Sequence, residues 1–181
     1  MLDILKRLHV RNAETIFGAV AEELAKLGVS LIPASTFMED HMPGPGLLTT
    51  RPPTESEARD IELGMTVAKA TSGLDIGQTV VVKEGTILAV EAFEGTDQTI
   101  LRAAGLGGRG VVVVKVAKQG HDMRFDIPVI GVRTLKILRK AKAAVLAFEA
   151  GRAVVLEREI VVKTADAMNL CLIAVAAPPH A

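Results

Sequence analysis

Apolar positions recur at helical spacing in two segments of the first half of the chain. The first segment predicts a helix over residues 13–27, which Gly28 ends in a left-handed conformation. Its apolar face comprises Phe17, Val20, Leu24 and Leu27. In the second segment, Thr54 and Glu57 match a capping box, which predicts a helix that runs to about Thr71.

Strand-like runs alternate with helical segments in the second half. Residues 79–82 and 87–93 predict a β-hairpin, because residues 83–85 between them are typical of a tight turn. Further strands are predicted at 111–116, 144–148, 153–156 and 170–175. Helices are predicted from a cap at Thr96 or Asp97 to Ala104, over 134–143, and from a cap at Thr164.

A connection rich in proline and glycine separates the two halves. It runs from Pro43 to Pro53 and predicts a domain boundary, while residues 29–32 before it predict a short buried strand. Helices alternate with strands after the boundary, and one pair of strands forms a hairpin. Residues 54–181 are therefore expected to form an α/β domain with a mixed sheet, and residues 1–53 a smaller part.

The composition indicates a globular protein without a nucleic-acid partner. The chain has 181 residues, of which 49% are hydrophobic, and its 21 basic residues balance 21 acidic ones. It contains no Trp or Tyr on which bases could stack. The single cysteine, Cys171, lies in an apolar run typical of a strand and indicates a reducing compartment.

No export or membrane-spanning segment is visible in the sequence. Asp3, Lys6 and Arg7 interrupt the apolar core that a secretory signal needs. No apolar run approaches the ~20 residues required to span a bilayer. We therefore expect a cytoplasmic protein that is soluble or at most peripheral to a membrane.

Three common kinds of site have no support in the motifs. None of the serines lies in a nucleophile-elbow pattern, and none of the histidines pairs at the spacing of zinc ligands. The glycine-rich segment 105–110 follows a predicted helix and lacks a lysine-serine ending. It is therefore interpreted as a turn and not as a nucleotide-binding loop.

The most distinctive charged segment follows the all-valine strand. Residues 115–126 combine cations with carboxylates, namely Lys115, Lys118, Arg124, Asp122 and Asp126. Carboxylates suit a hard divalent cation, and lysine and arginine offset the charge of a pyrophosphate. Because α/β proteins bind ligands beyond the carboxyl ends of strands, the segment predicts a phosphate-and-metal site. A solvated loop is the alternative.

A second polar cluster follows the predicted hairpin and consists of Glu94, Gly95, Thr96 and Asp97. The start of the helix offers backbone amides to an anion, and Asp97 can hold a cation. An ordinary helix cap is the alternative. If the two clusters converge on one crevice, they supply the groups that a hydrolytic phosphate site needs.

Five motifs in sequence order resemble one known family. They are Asp75-Ile-Gly-Gln78, Val90-Glu-Ala-Phe-Glu-Gly-Thr-Asp97, Val114-Lys-Val-Ala-Lys118, Asp122-Met-Arg-Phe-Asp-Ile-Pro-Val-Ile-Gly131 and Glu149-Ala-Gly-Arg152. Together they resemble the LpxI family, whose members are UDP-2,3-diacylglucosamine pyrophosphohydrolases of lipid A synthesis. The resemblance is strongest from about Leu74 to Val175.

The resemblance implies that water attacks the α-phosphate of UDP-2,3-diacylglucosamine with the help of Mg²⁺ or Mn²⁺. The products would be UMP and 2,3-diacylglucosamine 1-phosphate. Asp126 lines up with the essential aspartate of the family and would hold the cation or position the water. Lys115 and Arg124 would share in catalysis by stabilising charge on the phosphate. The remaining assignments are Lys118, Asp122, Gly95 and Thr96 to the substrate, and Asp97 and Glu94 to the metal.

The resemblance also bears on the whole chain. Family members are longer two-domain proteins, and part of their amino-terminal domain has no counterpart ahead of Met1. Residues 1–53 are accordingly interpreted as a truncated, Rossmann-like segment. A related but non-catalytic nucleotide-sugar-binding or lipid-binding domain is the alternative function. Peripheral contact with the inner membrane and assembly into a homo-oligomer stay open.

Overall fold

The computed structural model describes residues 13–118, 124 and 127–176. In chain order the elements are α1 (Ala13–Lys26), β1 (Gly46–Leu47), α2 (Glu55–Gly73), β2 (Thr79–Lys83), β3 (Thr86–Val90), α3 (Thr96–Gly107), β4 (Val112–Lys115), β5 (Val129–Ile130), α4 (Val132–Ala141), β6 (Val145–Glu149), β7 (Val154–Val155), α5 (Arg158–Ala167) and β8 (Cys171–Val175). A single turn of 3-10 helix covers Glu39–His41.

The main sheet has six strands in the order β1-β8-β6-β4-β2-β3. Strands β4, β6 and β8 are parallel to one another. Strands β1 and β2 are antiparallel to β8 and β4, and β3 is antiparallel to β2. The predicted α/β class and mixed sheet are therefore confirmed, whereas the Rossmann-like character of the first segment stays a prediction.

Both faces of the sheet are covered, which explains why its central strands are continuous runs of apolar residues. On one face, Val113 and Leu146 pack against α3, α4 and α5. On the other face, Val112 and Val114 pack against α2. Within the described ranges, no helix is both long and apolar enough to cross a membrane.

The structure confirms two local predictions, the capping box and the hairpin. At the start of α2, the Thr54 hydroxyl accepts a hydrogen bond from the Glu57 amide at 3.2 Å, and the Glu57 carboxylate accepts one from the Thr54 amide at 2.8 Å. Strands β2 and β3 form the hairpin. Its turn is held by Asp60, whose carboxylate accepts hydrogen bonds from the Glu84 and Gly85 amides at 2.8 and 2.7 Å.

The predicted environment of Cys171 is also confirmed. Its side chain is fully buried inside β8. Burial raises the pKa of the thiol to about 11, because the thiolate would lose its hydration. The thiol is therefore protonated at neutral pH and does not act as a nucleophile.

Two sequence predictions are wrong. Residues 29–32 form no strand and Ile32 is 60% exposed, because no described strand lies beside them to share hydrogen bonds and cover their side chains. Thr164 lies inside α5, which begins at Arg158, so it does not cap a helix. The predicted strands at 144–148 and 153–156 are both present, but they lie in different sheets, because β6 enters the main sheet and β7 pairs with β5.

Close packing of α2 on the sheet depends on Gly64. A Cβ atom at this position would lie 2.5 Å from Cγ2 of Val114, a buried side chain in the middle of β4. We predict that Gly64→Ala lowers the free energy of unfolding by about 1–3 kcal/mol through overpacking. Urea unfolding followed by circular dichroism measures the effect.

The matched control is Gly105→Ala in α3, where a Cβ atom would meet no heavy atom within 4 Å. This change is expected to stabilise the protein by up to about 1 kcal/mol through helix propensity. Equal effects of the two substitutions would show that contact with Val114 does not limit the packing of α2.

Candidate functional site

The carboxyl ends of four strands meet at one edge of the sheet. Strands β3, β4, β6 and β8 run in the same direction, and the first three are followed by polar segments. These segments are Glu91–Asp97, Lys115–Lys118 and Glu149–Arg152. The loop before β2 reaches the same edge. The structure thus places Lys115, the first residue of the predicted charged segment, beside the cluster of Glu94, Gly95, Thr96 and Asp97.

A close backbone contact positions Glu91 at the end of β3. A Cβ atom on Gly77 would lie 2.0 Å from the Glu91 carbonyl oxygen, so only glycine permits this approach. The Glu91 amide also donates to the Thr79 carbonyl at 2.8 Å. The side chain is 8% exposed, and its Oε2 atom is buried without a hydrogen-bond partner among the described residues.

The hydroxyl of Thr96 is the centre of a small polar network. It donates to Oε1 of Glu91 at 3.0 Å and lies 3.3 Å from Oγ1 of Thr79 and 3.4 Å from Nζ of Lys115. A hydroxyl has one proton and two lone pairs, so Thr79 and Lys115 must be the donors to Thr96. These contacts use the full hydrogen-bonding capacity of the hydroxyl.

Gly95, with φ of 82°, is the residue that caps α3, and no side chain makes a cap hydrogen bond there. The prediction of a cap at Thr96 or Asp97 is therefore wrong. Both side chains are engaged elsewhere, since Thr96 donates to Glu91 and Asp97 accepts from Arg133 at 3.2 Å. The amides at the start of α3 consequently have no side-chain cap.

The carboxylate of Glu94 is engaged at both of its oxygens. Oε1 accepts from Arg102 at 2.5 Å and from the Thr99 hydroxyl at 3.2 Å, and Oε2 accepts from the Ala92 amide at 3.1 Å. Mainly through the hydrogen bond from Arg102, the pKa of Glu94 falls to about 2. Glu94 is thus an ionised carboxylate whose hydrogen bonds stabilise the turn in which it lies.

A pocket of about 510 Å³ lies between the amino termini of α3 and α4. Its lining includes Glu94, Gly95, Thr96 and Asp97 from the first helix start, Lys115 from β4, and Arg133 and Thr134 from the second. Both helices point the positive ends of their dipoles at this space. The pocket is therefore suited to an anion, with cationic side chains on two sides.

The segment after β4 is anchored by a buried carboxylate. Glu149 is 2% exposed and accepts hydrogen bonds from Nζ of Lys69 and from the Ala117 amide, both at 2.9 Å. Arg152 lies 3.8 Å from the same carboxylate. Further along, Lys118 forms an ion pair with Asp75. Helix α2, the loop after it and the end of β6 therefore determine where the charged run begins.

Not every predicted site residue can be located. Asp122 and Asp126 fall outside the described residues, and Arg124 lies exposed in a turn. Across the described ranges, no three His, Cys, Asp or Glu side chains come together as a candidate metal site. The catalytic and metal assignments therefore stay predictions.

Sequence reasoning assigned no role to Glu91, Lys69 or Glu149. Glu149 carries a recognisable signal, since it ends an otherwise apolar strand at the edge where ligands bind. Glu91 carries the same signal more weakly, because it follows β3 directly. The partner of Glu149 could not be found this way, since Lys69 lies 80 positions earlier in the chain.

A second cavity, of about 470 Å³, lies at the opposite edge of the sheet. Arg51, Arg109, Arg139 and Lys142 contribute to its lining. Helices α3 and α4 end here, so these cations face the negative ends of the helix dipoles. Arg51 also forms an ion pair with Glu57 at 2.6 Å. The helix ends and this ion pair account for the basic character of the cavity.

Comparison with known proteins identifies similar sequences. A family model described as the LpxI C-terminal domain matches residues 44–173. The "UDP-2,3-diacylglucosamine pyrophosphatase LpxI" of Caulobacter vibrioides is 35% identical over 173 residues. That alignment covers 91% of this chain, and the chain spans 62% of the length of that relative.

Two solved structures show a more distant likeness. The dCMP deaminase of cyanophage S-TIM5 has 13% identity and a TM-score of 0.38, with coverage of 62% of this chain and 94% of that one. RibD from Acinetobacter baumannii has 13% identity and a TM-score of 0.37, with coverage of 68% and 35%. At these TM-scores the likeness carries no argument about fold or activity.

The ion pair of Glu94 with Arg102 generates a prediction about titration. We expect the side-chain carbon signal of Glu94 in NMR spectra to titrate with a pKa of about 2. Arg102→Gln should move this pKa toward the ordinary value of 4.5. Arg133→Gln, which removes the arginine paired with Asp97, should leave it unchanged.

The sign of the accompanying stability change follows from the lowered pKa. The unfolded chain takes up a proton at Glu94 near pH 4.5, before the folded protein does, so acid favours unfolding. The contribution of Glu94 is present above pH 4.5 and is lost as the pH falls toward 2. A Glu94 signal that titrates near 4.5 in the unaltered protein would contradict the assigned geometry.

The buried pair of Lys69 and Glu149 generates a prediction about stability. We expect Lys69→Met to lower the free energy of unfolding by about 3 kcal/mol, because it leaves the Glu149 carboxylate buried without its ammonium partner. The double variant Lys69→Met with Glu149→Gln should recover part of this loss. The amide can still accept from Ala117 and carries no charge. Urea unfolding of Lys69→Met, Glu149→Gln and the double variant measures the coupling energy between the two residues. If the losses of the single variants simply add up in the double variant, the two side chains do not stabilise each other.

Proposed function

This chain belongs to the LpxI C-terminal domain family, and we propose that it hydrolyses UDP-2,3-diacylglucosamine at the α-phosphate. The products are UMP and 2,3-diacylglucosamine 1-phosphate, as in lipid A biosynthesis. The substrate is inferred from the name of the similar protein, UDP-2,3-diacylglucosamine pyrophosphatase. We place the reaction in the cytoplasm, with the chain touching the inner membrane peripherally to reach its lipid substrate.

The observation that carries the proposal is the pocket between the starts of α3 and α4. A pyrophosphate there meets the backbone amides of Gly95 and Thr96 at one helix start, with Lys115 beside it. Lys115 is already directed toward this helix start by its contact with Thr96 at 3.4 Å. Arg133 lines the same pocket from α4. The described residues thus offer a diphosphate backbone amides and two cationic side chains, with the carboxylates of Glu94 and Asp97 in the same lining.

The residues that follow β4 supply the catalytic groups in this proposal. Asp126 positions the attacking water, and Lys115 and Arg124 stabilise negative charge on the non-bridging oxygens as the phosphorus becomes crowded. Lys118 and Asp122 contact the rest of the substrate. Lys118 forms an ion pair with Asp75, so the lysine must exchange that carboxylate for the phosphate when substrate binds.

A divalent cation, Mg²⁺ or Mn²⁺, fits the chemistry of this edge. The buried Oε2 atom of Glu91 has no hydrogen-bond partner among the described residues, and carboxylate oxygens are the preferred ligands of such cations. Asp126, Asp97 and Glu94 are the carboxylates that the family resemblance implies as ligands. When bound, the cation supplies Lewis acidity to the phosphate oxygens and helps to activate water.

A second candidate function is the binding of a nucleotide sugar or lipid without hydrolysis. One observation favours it, since the carboxylates of Glu94 and Asp97 are each paired with an arginine. Calorimetry with UMP and saturating Mg²⁺ distinguishes the two functions. Binding by a chain that releases no UMP from the UDP-sugar favours the second.

The hydrolytic proposal predicts that the intact chain releases UMP from detergent-dispersed UDP-2,3-diacylglucosamine in the presence of Mg²⁺ or Mn²⁺. Asp126→Ala should lower the rate by about 100-fold or more, as expected for loss of a group that orients or activates water. Lys115→Met should lower it by about 100-fold through lost charge stabilisation. Chromatographic quantification of UMP measures both effects.

The matched control is Lys140→Met, which removes an exposed lysine near the carboxyl end of α4, away from the pocket. This variant should turn over at the rate of the unaltered chain. Equal activity of Asp126→Ala and the unaltered chain would refute the catalytic assignment.

A further inference from the structure

Two glutamates in the turn after β3 differ in what their carboxylates contact, and this difference bears on cation binding. We propose that Glu91, which neither the motifs nor the family resemblance assigned to a site, is the cation ligand contributed by this turn. The inference rests on the proposed function, because it concerns the divalent cation of that reaction. It assigns the role to Glu91 in place of Glu94.

The first argument is the state of the Glu91 carboxylate. Oε1 accepts the hydrogen bond from Thr96 at 3.0 Å, whereas Oε2 is buried and has no partner among the described residues. A buried carboxylate oxygen without a partner destabilises the folded protein, because burial removes the hydrogen bonds that water would supply. Such a cost persists in a folded protein where a ligand offsets it, and a divalent cation is the ligand that a carboxylate oxygen suits best.

The second argument is the occupancy of Glu94. Both of its oxygens accept hydrogen bonds, and the bond from Arg102 is 2.5 Å long. Ligation of a cation by Glu94 would require the loss of the Arg102 ion pair and would place two positive charges against one carboxylate. Glu91 can accept a cation at Oε2 while keeping its contact with Thr96.

The third argument is preorganisation. The close approach of Gly77 fixes the backbone of Glu91, and the Glu91 amide donates to Thr79 at 2.8 Å. The Thr96 hydroxyl then fixes the side chain at Oε1. A carboxylate held by both its backbone and one oxygen has little rotational freedom left to lose when a cation binds. It also lies one hydrogen bond from Thr96, which lines the phosphate pocket.

The test compares Mn²⁺ binding by the intact chain and two matched variants, Glu91→Gln and Glu94→Gln. Electron paramagnetic resonance of unbound Mn²⁺ gives the affinity without any substrate or activity. Glu91→Gln should weaken Mn²⁺ binding by at least about 10-fold, as expected for loss of a group in a metal site. Glu94→Gln should leave the affinity unchanged.

Two further measurements keep the result interpretable. Glutamine retains the oxygen that accepts from Thr96, and circular dichroism establishes whether Glu91→Gln folds as the unaltered chain does. If it does not, Glu91→Asp, which keeps the carboxylate, should bind Mn²⁺ more tightly than Glu91→Ala. The proposal is overturned if Glu91→Gln folds and binds Mn²⁺ like the unaltered chain, or if Glu94→Gln weakens binding equally.

The test also separates this inference from the proposed function. An intact chain that binds no Mn²⁺ overturns the role of Glu91. Release of UMP by that same chain would leave the hydrolytic function standing. Conversely, Mn²⁺ binding that depends on Glu91 in a chain that releases no UMP supports the cation site and contradicts hydrolysis.

Discussion

The parallel pairing of β4, β6 and β8 is the constraint from which the rest of the structure follows. Parallel neighbours require a crossover, and α4 and α5 supply the two crossovers within this set. Each helix begins at the carboxyl edge of the sheet and returns toward the other edge. Helix amino termini and the polar ends of strands are thereby collected at one edge, while helix carboxyl termini and their compensating cations are collected at the other.

A buried charge stabilises the arrangement of that polar edge. Glu149 contacts Lys69 from α2 on one face of the sheet and the Ala117 amide at the start of the charged run. Buried ion pairs often add little net stability, because desolvation offsets their attraction. The main effect of this pair is therefore to fix the positions of the elements that it connects. It fixes the end of β4 relative to α2 and β6, so Lys115 enters the pocket from a rigid strand.

The sequence predicted those features whose signals are local. The capping box of Thr54 and Glu57, the hairpin turn at residues 83–85 and the buried strands were all readable within a few residues. The meeting of residues 94–97 with Lys115 also followed, because both segments come after strands. Predictions failed where distant neighbours decide. Thr96 has the chemistry of a cap, but its hydroxyl donates a hydrogen bond to Glu91 instead, and residues 29–32 have no described strand beside them.

In the proposed reaction, the pocket between α3 and α4 binds the substrate, whereas Glu91 contributes to the chemistry. Two helix starts, Lys115 and Arg133 offer a diphosphate amide and cationic contacts that do not depend on a metal, and the carboxylates of Glu94 and Asp97 share the same lining. In the proposed reaction these groups bind the diphosphate, so affinity for the nucleotide sugar and catalysis are separate measurements. The carboxylate of Glu91 is not part of this lining but accepts a hydrogen bond from Thr96, and its buried Oε2 atom has no partner among the described residues. If Glu91 holds a cation as proposed, that cation would act on a phosphate already contacted by the pocket, and metal dependence would then appear in turnover more than in substrate affinity.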